Sequence, residues 1–153
     1  LMKTGVGLMA DVPESVIFDR QIPASAKAKR SRFRVADAFH CSTFDEIGSA
    51  LQLGFPVSFG IMLPGGFNNL DDEGVAGLGW GILGGHCMCA YGTTKLKSGA
   101  WAIRVRNSWS DRWGKGGNCL LVEQHFGRDC DAFAIRADNH DPLDPNRPPS
   151  APG

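Results

Sequence analysis

Glycine sets the limits on how this chain can fold. Twenty glycines fall among 153 residues, and residues 64–85 are especially rich in them. Glycine loses more backbone freedom on folding than any other residue and weakens helix interiors. Such a chain favours strands and loops over long helices. A length of 153 residues suits one domain and is enough to bury a real core. The longest apolar runs are short and broken by glycine, which excludes a helical membrane span. Sixteen Lys and Arg residues balance sixteen Asp and Glu residues. No net field steers the chain toward nucleic acid or an anionic membrane, and neither partner is expected.

One helix can be placed from its end signals. Thr43-Phe44-Asp45-Glu46 has the spacing of a capping box. The Thr43 hydroxyl can accept from the third helical amide while Glu46 reaches back. Phe44, Ile47 and Leu51 follow at helical spacing, and Gly54 stands where a helix would stop. The pattern predicts a helix over about 43–53. Phe33, Val35 and Phe39 alternate loosely and predict a strand over 32–39. The run from Phe55 to Leu63 reads as a buried strand, with Pro56 at its start where a missing amide does least harm. Residues 64–85 read as a long loop, the kind of segment that is often functional. Further strands are expected over about 86–92, 100–107, 118–124 and 132–136. The polar stretch 92–99 joins the first two as a hairpin. One helix followed by antiparallel strands joined in sequence implies an α+β half-barrel.

The ends read differently. Residues 1–31 carry Pro13, Pro23 and weak periodicity, and look like a loop-rich lead-in. The basic residues clustered over 27–34 read as a solvated face. The folded domain is expected over 32–138. The proline-rich stretch 139–153 is expected to be a linker or a disordered tail. The sequence starts at Leu1 without a basic-then-apolar leader, and reads as an excerpt or a processed product.

The five cysteines are Cys41, Cys87, Cys89, Cys119 and Cys130. An odd number leaves at least one thiol free or paired with another chain. No CxxC pair occurs, so neither a zinc ribbon nor a thioredoxin-type motif is supported. Most read simply as small buried hydrophobes, and they leave the compartment open. A metal site at His86, Cys87 and Cys89 is disfavoured, because strand alternation splits the ligands between two faces. No metal and no cofactor are expected.

The residues able to do chemistry lie near the hairpin. His86 follows Gly84-Gly85, which lets backbone and substrate come close. Read alone, it is as well explained as a satisfied structural histidine. Asn107 ends the neighbouring strand. If the two strands are antiparallel, the start of one lies beside the end of the other, and Asn107 falls next to His86. An amide oxygen accepting from an imidazole N–H fixes the ring's tautomer and aim. Trp109 could cover that bond and exclude water.

Gly84-Gly85-His86, Tyr91-Gly92, the run from Trp101 to Trp109 with its Arg106-Asn107-Ser108-Trp109 segment, and Trp113-Gly114 resemble the C-terminal half of papain-family cysteine peptidases. The order of helix, Gly54-Phe55-Pro56-Val57-Ser58 and long loop agrees. The ending Asp131-Ala132-Phe133-Ala134-Ile135 is similar to bacterial and phage-type members. The resemblance covers roughly residues 32–136. It implies His86 as the imidazole that pairs with a thiolate and protonates the leaving amine. It implies Asn107 as the group that orients His86, and Trp109 as their shield. The strand at 57–61 and the residues flanking His86 would line the pocket for a substrate side chain.

The chain also departs from that family. The family's nucleophilic cysteine heads a helix in the other half, which supplies the oxyanion-hole glutamine as well; no such segment occurs here. Ser110 stands where the family has glycine, Cys87 where it has alanine, and Asn118-Cys119 where an aromatic is common. Cys41, just before the capped helix, is a weak substitute, because that helix belongs to the histidine half. The nucleophile is therefore unknown. Two functions remain open. One is a cysteine peptidase acting on peptide or protein substrates, with its cysteine half outside this chain. The other is a non-catalytic papain-like module, a pseudoenzyme used for structure or binding. Expected partners are the missing half or another protein chain. The isolated chain is expected to be inactive on peptide bonds.

Overall fold

A computed structural model describes residues 22–29, 34–127 and 130–138. Most of the expected lead-in and the whole proline-rich tail lie outside the described residues. Ala38–Arg136 forms one compact unit, and the described residues before Ala38 and after Arg136 belong to another. In the latter, a short helix α1 (Ala24–Lys29) stands where the sequence suggested only loop. It follows Pro23, whose carbonyl accepts from the Lys27 amide at 3.0 Å. Proline fits there because the first helical amides need no intrahelical partner.

The remaining elements are β1 (Arg34–Cys41), α2 (Phe44–Gln52), β2 (Val57–Pro64), β3 (Ile82–Lys95), β4 (Trp101–Arg106), β5 (Asn118–Leu121), a 3-10 turn (Glu123–His125) and β6 (Asp131–Asp138). The six strands make one sheet in the order β1-β6-β2-β3-β4-β5. β2 runs antiparallel to both β3 and β6, and β4 antiparallel to both β3 and β5. The sheet is open, with β1 and β5 at its edges, so the α+β class holds without a closed barrel.

Helix α2 forms where its caps say it should. The Thr43 hydroxyl accepts from the Glu46 amide at 3.1 Å. The Glu46 carboxylate reaches back to the Ser42 amide, one residue before the cap, rather than to Thr43 itself. At the other end Gly54 takes φ +87°. Its amide donates to Leu51 O at 3.1 Å, and the Phe55 amide donates to Ala50 O at 3.0 Å. These are the paired bonds of a Schellman cap, which glycine permits at no Cβ cost.

The core face of the sheet follows from alternation. Val57, Phe59, Ile61 and Leu63 of β2 are buried, as are Met88 and Ala90, Ile103 and Val105, Cys119 and Leu121, and Ala132 and Ala134. Ile47, Ala50 and Leu51 of α2 join them in one cluster. Each large side chain buried there contributes about 1.5–3 kcal/mol. The opposite face presents Ser58, Met62, Gly85, Cys87, Cys89, Tyr91 and Phe133 to solvent.

Several boundaries differ from the sequence reading. β3 begins at Ile82, so the loop is shorter and His86 lies within a strand rather than at its start. β5 stops at Leu121, where the expected strand 118–124 turns into the 3-10 segment. β6 begins at Asp131 and continues to Asp138.

Candidate active site

His86 is placed by β3, opposite Ile61 of β2. Its side chain projects on the same face as Met88 and Ala90, at the rim of the core. Asn107 is the first residue beyond β4, and its amide donates to Gly117 O at 3.0 Å. Only 4% of Asn107 is exposed. The hairpin register pairs Cys89 with Arg106, which carries Asn107 toward His86. The structure brings the two together: His86 Nε2 lies 2.9 Å from Asn107 Oδ1.

The orientation of the amide has an internal check. The Ser108 backbone N–H donates to the same Asn107 Oδ1 at 2.7 Å. A backbone N–H can only donate, so the atom facing it must be the oxygen. That oxygen then accepts from His86, and His86 carries its proton on Nε2. In the neutral ring, Nδ1 is left with a lone pair. Asn107 Nδ2 is buried and has no partner among the described residues. An unmet buried donor costs about 1–3 kcal/mol. Stability alone would not select this residue here.

Trp109 lies over the imidazole, with ring centroids 4.7 Å apart and planes inclined by 31°. It meets Phe67 and Trp113 edge-on, at 5.9 Å and 5.4 Å. Phe67 and Trp113 stack at 5.4 Å. Trp113 Nε1–H donates to Asn68 Oδ1 at 3.0 Å and ties this aromatic group to the 65–81 loop. Trp109 is 38% exposed, so it covers the histidine from outside while Phe67, fully buried, backs it. Ser110 follows at φ +72°, a conformation that favours glycine. Its hydroxyl accepts from the Arg112 amide at 3.3 Å, a partial compensation.

None of the thiols is placed to act on His86 among the described residues. All five cysteines are free. Cys87 and Cys89 lie on the opposite face of β3. Cys41 is buried at the end of β1, and β6 and β2 intervene between β1 and β3. Its thiol donates to Phe39 O at 3.8 Å. Burial raises the pKa of Cys89 and Cys130, and pushes Cys119 up to about 12, the reverse of nucleophile activation. No group of three or more metal-ligating side chains occurs among the described residues.

Two other histidines escaped the sequence reading. His125 is buried; its Nδ1 accepts from the Val122 amide at 3.2 Å and its Nε2 donates to Ala76 O at 3.0 Å. Burial lowers its pKa, with the carbonyl oxygens of Val122 and Ala76 beside its ring nitrogens opposing. It is the satisfied structural histidine of the fold. His40 lies 3.4 Å from Asp131 at the surface. Asp131 borders a cleft of about 360 Å³ that also takes in Ser58, Met62, Gly85, His86 and Phe133. Neither contact has a local signal: Ala76 is 49 residues from His125.

No family model matches the chain, and no curated protein matches it. Solved structures do. Xylellain, a cysteine protease from Xylella fastidiosa, is similar with a TM-score of 0.69 and 16% identity, over 88% of this chain and 57% of that one. Amb a 11, a ragweed pollen cysteine protease in its proform, gives 0.65 and 21%, over 88% and 42%. Procathepsin B from Trypanosoma congolense gives 0.62 and 18%, over 90% and 50%. All three are papain-family cysteine proteases, and the likeness shows the fold: this chain has a papain-like fold. It spans less than two thirds of each of those chains.

Proposed function

We propose that this chain carries the histidine and asparagine of a papain-like cysteine peptidase, with the nucleophilic cysteine supplied from outside the chain. The observation that carries the reading is the 2.9 Å bond from His86 Nε2 to Asn107 Oδ1, covered by Trp109. That bond leaves Nδ1 as the nitrogen available to a thiol.

In the reaction, His86 Nδ1 takes the thiol proton, giving a thiolate and an imidazolium. The thiolate sulfur attacks the peptide carbonyl carbon. As the C–N bond breaks, Nδ1–H gives its proton to the leaving amine, and a thioester remains. His86 then takes a proton from water, whose oxygen attacks the thioester and releases the acid and the thiol. Asn107 holds the ring through both half-reactions, and Trp109 keeps water off the His86–Asn107 bond. The cleft beside His86, with Ser58, Met62 and Phe133, is suited to a substrate side chain.

The deciding experiment reads the coding sequence ahead of the Leu1 codon and assays the polypeptide it extends. A cysteine at a helix start, a glutamine a few residues before it, and peptide cleavage lost on His86→Ala would support the reading. A second reading, a non-catalytic papain-like module, draws on Ser110 at its glycine-favouring angle and on the absence of a nearby thiol among the described residues. It predicts that neither residue is found.

A further inference from the structure

Met62, Cys87 and Cys89 gather their sulfur atoms on one open patch of the sheet. In the β2–β3 register, Ser58 faces Cys89, Gly60 faces Cys87 and Met62 faces Gly85. These pairs lie on the side away from the core, where Met62, Cys87 and Cys89 are exposed. Gly60 and Gly85 bring no side chain to fill the space between the sulfurs. A Cβ on Gly60 would lie 3.5 Å from Cys87 Sγ, and one on Gly85 would lie 3.6 Å from Met62 Sδ. Each of these two sulfurs thus lies over a glycine of the neighbouring strand.

The spacing separates two possible fates of the thiols. Two residues along a strand rise about 6.6 Å, and side chains on one face keep that separation at Cβ. A disulfide needs Cβ atoms about 3.5–4.5 Å apart, so a straight β3 holds Cys87 and Cys89 too far apart to bond each other. Two metal–sulfur bonds of about 2.3 Å span up to about 4.6 Å between sulfurs, a gap that rotation about χ1 can close. Met62 stands diagonally across from Cys87, about 7–8 Å away at Cα and within reach of a long side chain.

The donor set selects the ion. Structural zinc takes four thiolate, imidazole or carboxylate donors, and no cluster of three such side chains occurs among the described residues. Thiolate together with thioether suits Cu(I), a soft ion that accepts three donors in a plane. Two thiolates and one Cu(I) leave one negative charge in excess. Arg106, opposite Cys89 and lining the same shallow cleft as both thiols, offsets it.

We propose that Met62, Cys87 and Cys89 form a site for one Cu(I) ion in trigonal, all-sulfur coordination. As the two copper–thiolate bonds form, each thiol releases its proton to water. The Cys89 proton leaves Ala90 O, to which that thiol donates at 3.7 Å. Copper enters and stays as Cu(I), so no electron is transferred. The site does not rest on the peptidase reading.

The test titrates the full chain, reduced and under argon, with Cu(I) held by bicinchoninate in the presence of ascorbate. Loss of the coloured chelate reports the copper withdrawn. The expected result is one Cu(I) per chain, not displaced by equimolar zinc. Cys87→Ser, Cys89→Ser and Met62→Leu should each bind at least tenfold more weakly, and Cys130→Ser should bind as before. Copper K-edge absorption of the unsubstituted chain should show sulfur neighbours only. No withdrawal, more than one ion per chain, displacement by zinc, or nitrogen neighbours overturns the proposal. So does unchanged affinity in Met62→Leu or in either of the Cys87 and Cys89 variants. The absorption measurement needs no substitution, so it decides the matter if a variant misfolds.

Discussion

Asn107 Oδ1 accepts two hydrogen bonds, one from its own neighbour Ser108 and one from His86, which lies 21 residues earlier in the chain. The first bond fixes the amide, and the fixed amide aims the imidazole. The orientation of His86 thus depends on a backbone N–H two residues beyond a strand end.

Removing that amide should misaim the ring. In the cysteine-bearing polypeptide, Asn107→Ala is expected to lower kcat about 100-fold, the order of loss that slight misplacement causes, with little change in KM. Nitrogen NMR of His86 should show the Nε2–H tautomer replaced by a mixture. Unchanged spectra and rates would count against the orienting role.

Ser110 occupies a left-handed backbone position that costs a non-glycine residue about 1–2 kcal/mol. Ser110→Gly relieves this but loses the bond from Arg112 and gains unfolded-state freedom. The net expectation is a stabilisation of about 0.5–1 kcal/mol, read from the urea midpoint at constant slope. A destabilised variant would show that the hydroxyl matters more than the angle.

His125 should make the fold sensitive to acid. Burial lowers its pKa in the folded state, so the unfolded chain binds the proton more readily. The contribution is complete above about pH 6.5, the unfolded value, and is lost as pH falls from there through the folded pKa. Urea denaturation between pH 7.5 and 5 checks this. His125→Gln should flatten that dependence, and an equal slope in both proteins would sink the assignment.

The thiols should react in order of exposure and acidity. Cys87 is exposed and should be alkylated first at pH 8, with Cys89, its pKa raised by burial, behind it. Cys119, pushed up to about 12, holds roughly one thiolate in ten thousand at that pH. Cys119 and the buried Cys41 should be modified only on unfolding. Peptide mass mapping after timed iodoacetamide treatment gives the order.

What could be read before the structure was what local chemistry encodes. Thr43, Glu46 and Gly54 are end signals, and they set α2 within a residue or two. The meeting of His86 and Asn107 followed from one polar hairpin connection and antiparallel pairing. The start of β3 was missed because Gly84-Gly85 looks like loop, and only pairing with Met62 and Leu63 of β2 makes it strand. The end of β5 was missed because a side chain closes it: His125 turns back onto the Val122 amide. The contact of His125 with Ala76, like that of His40 with Asp131, joins distant segments and has no local pattern to find.

The buried Nδ2 of Asn107, without a partner among the described residues, has an evolutionary consequence. Domains of this kind hold about 5–15 kcal/mol of net stability, so a loss of about 1–3 kcal/mol at one atom is a large share. An apolar residue of similar size would remove that burden while abolishing the bond to His86. Thermal robustness and the histidine's alignment therefore pull this position in opposite directions. Under selection for heat resistance alone, Asn107 would be among the early positions to drift; its persistence in a population would mark lineages in which the aligned ring still matters.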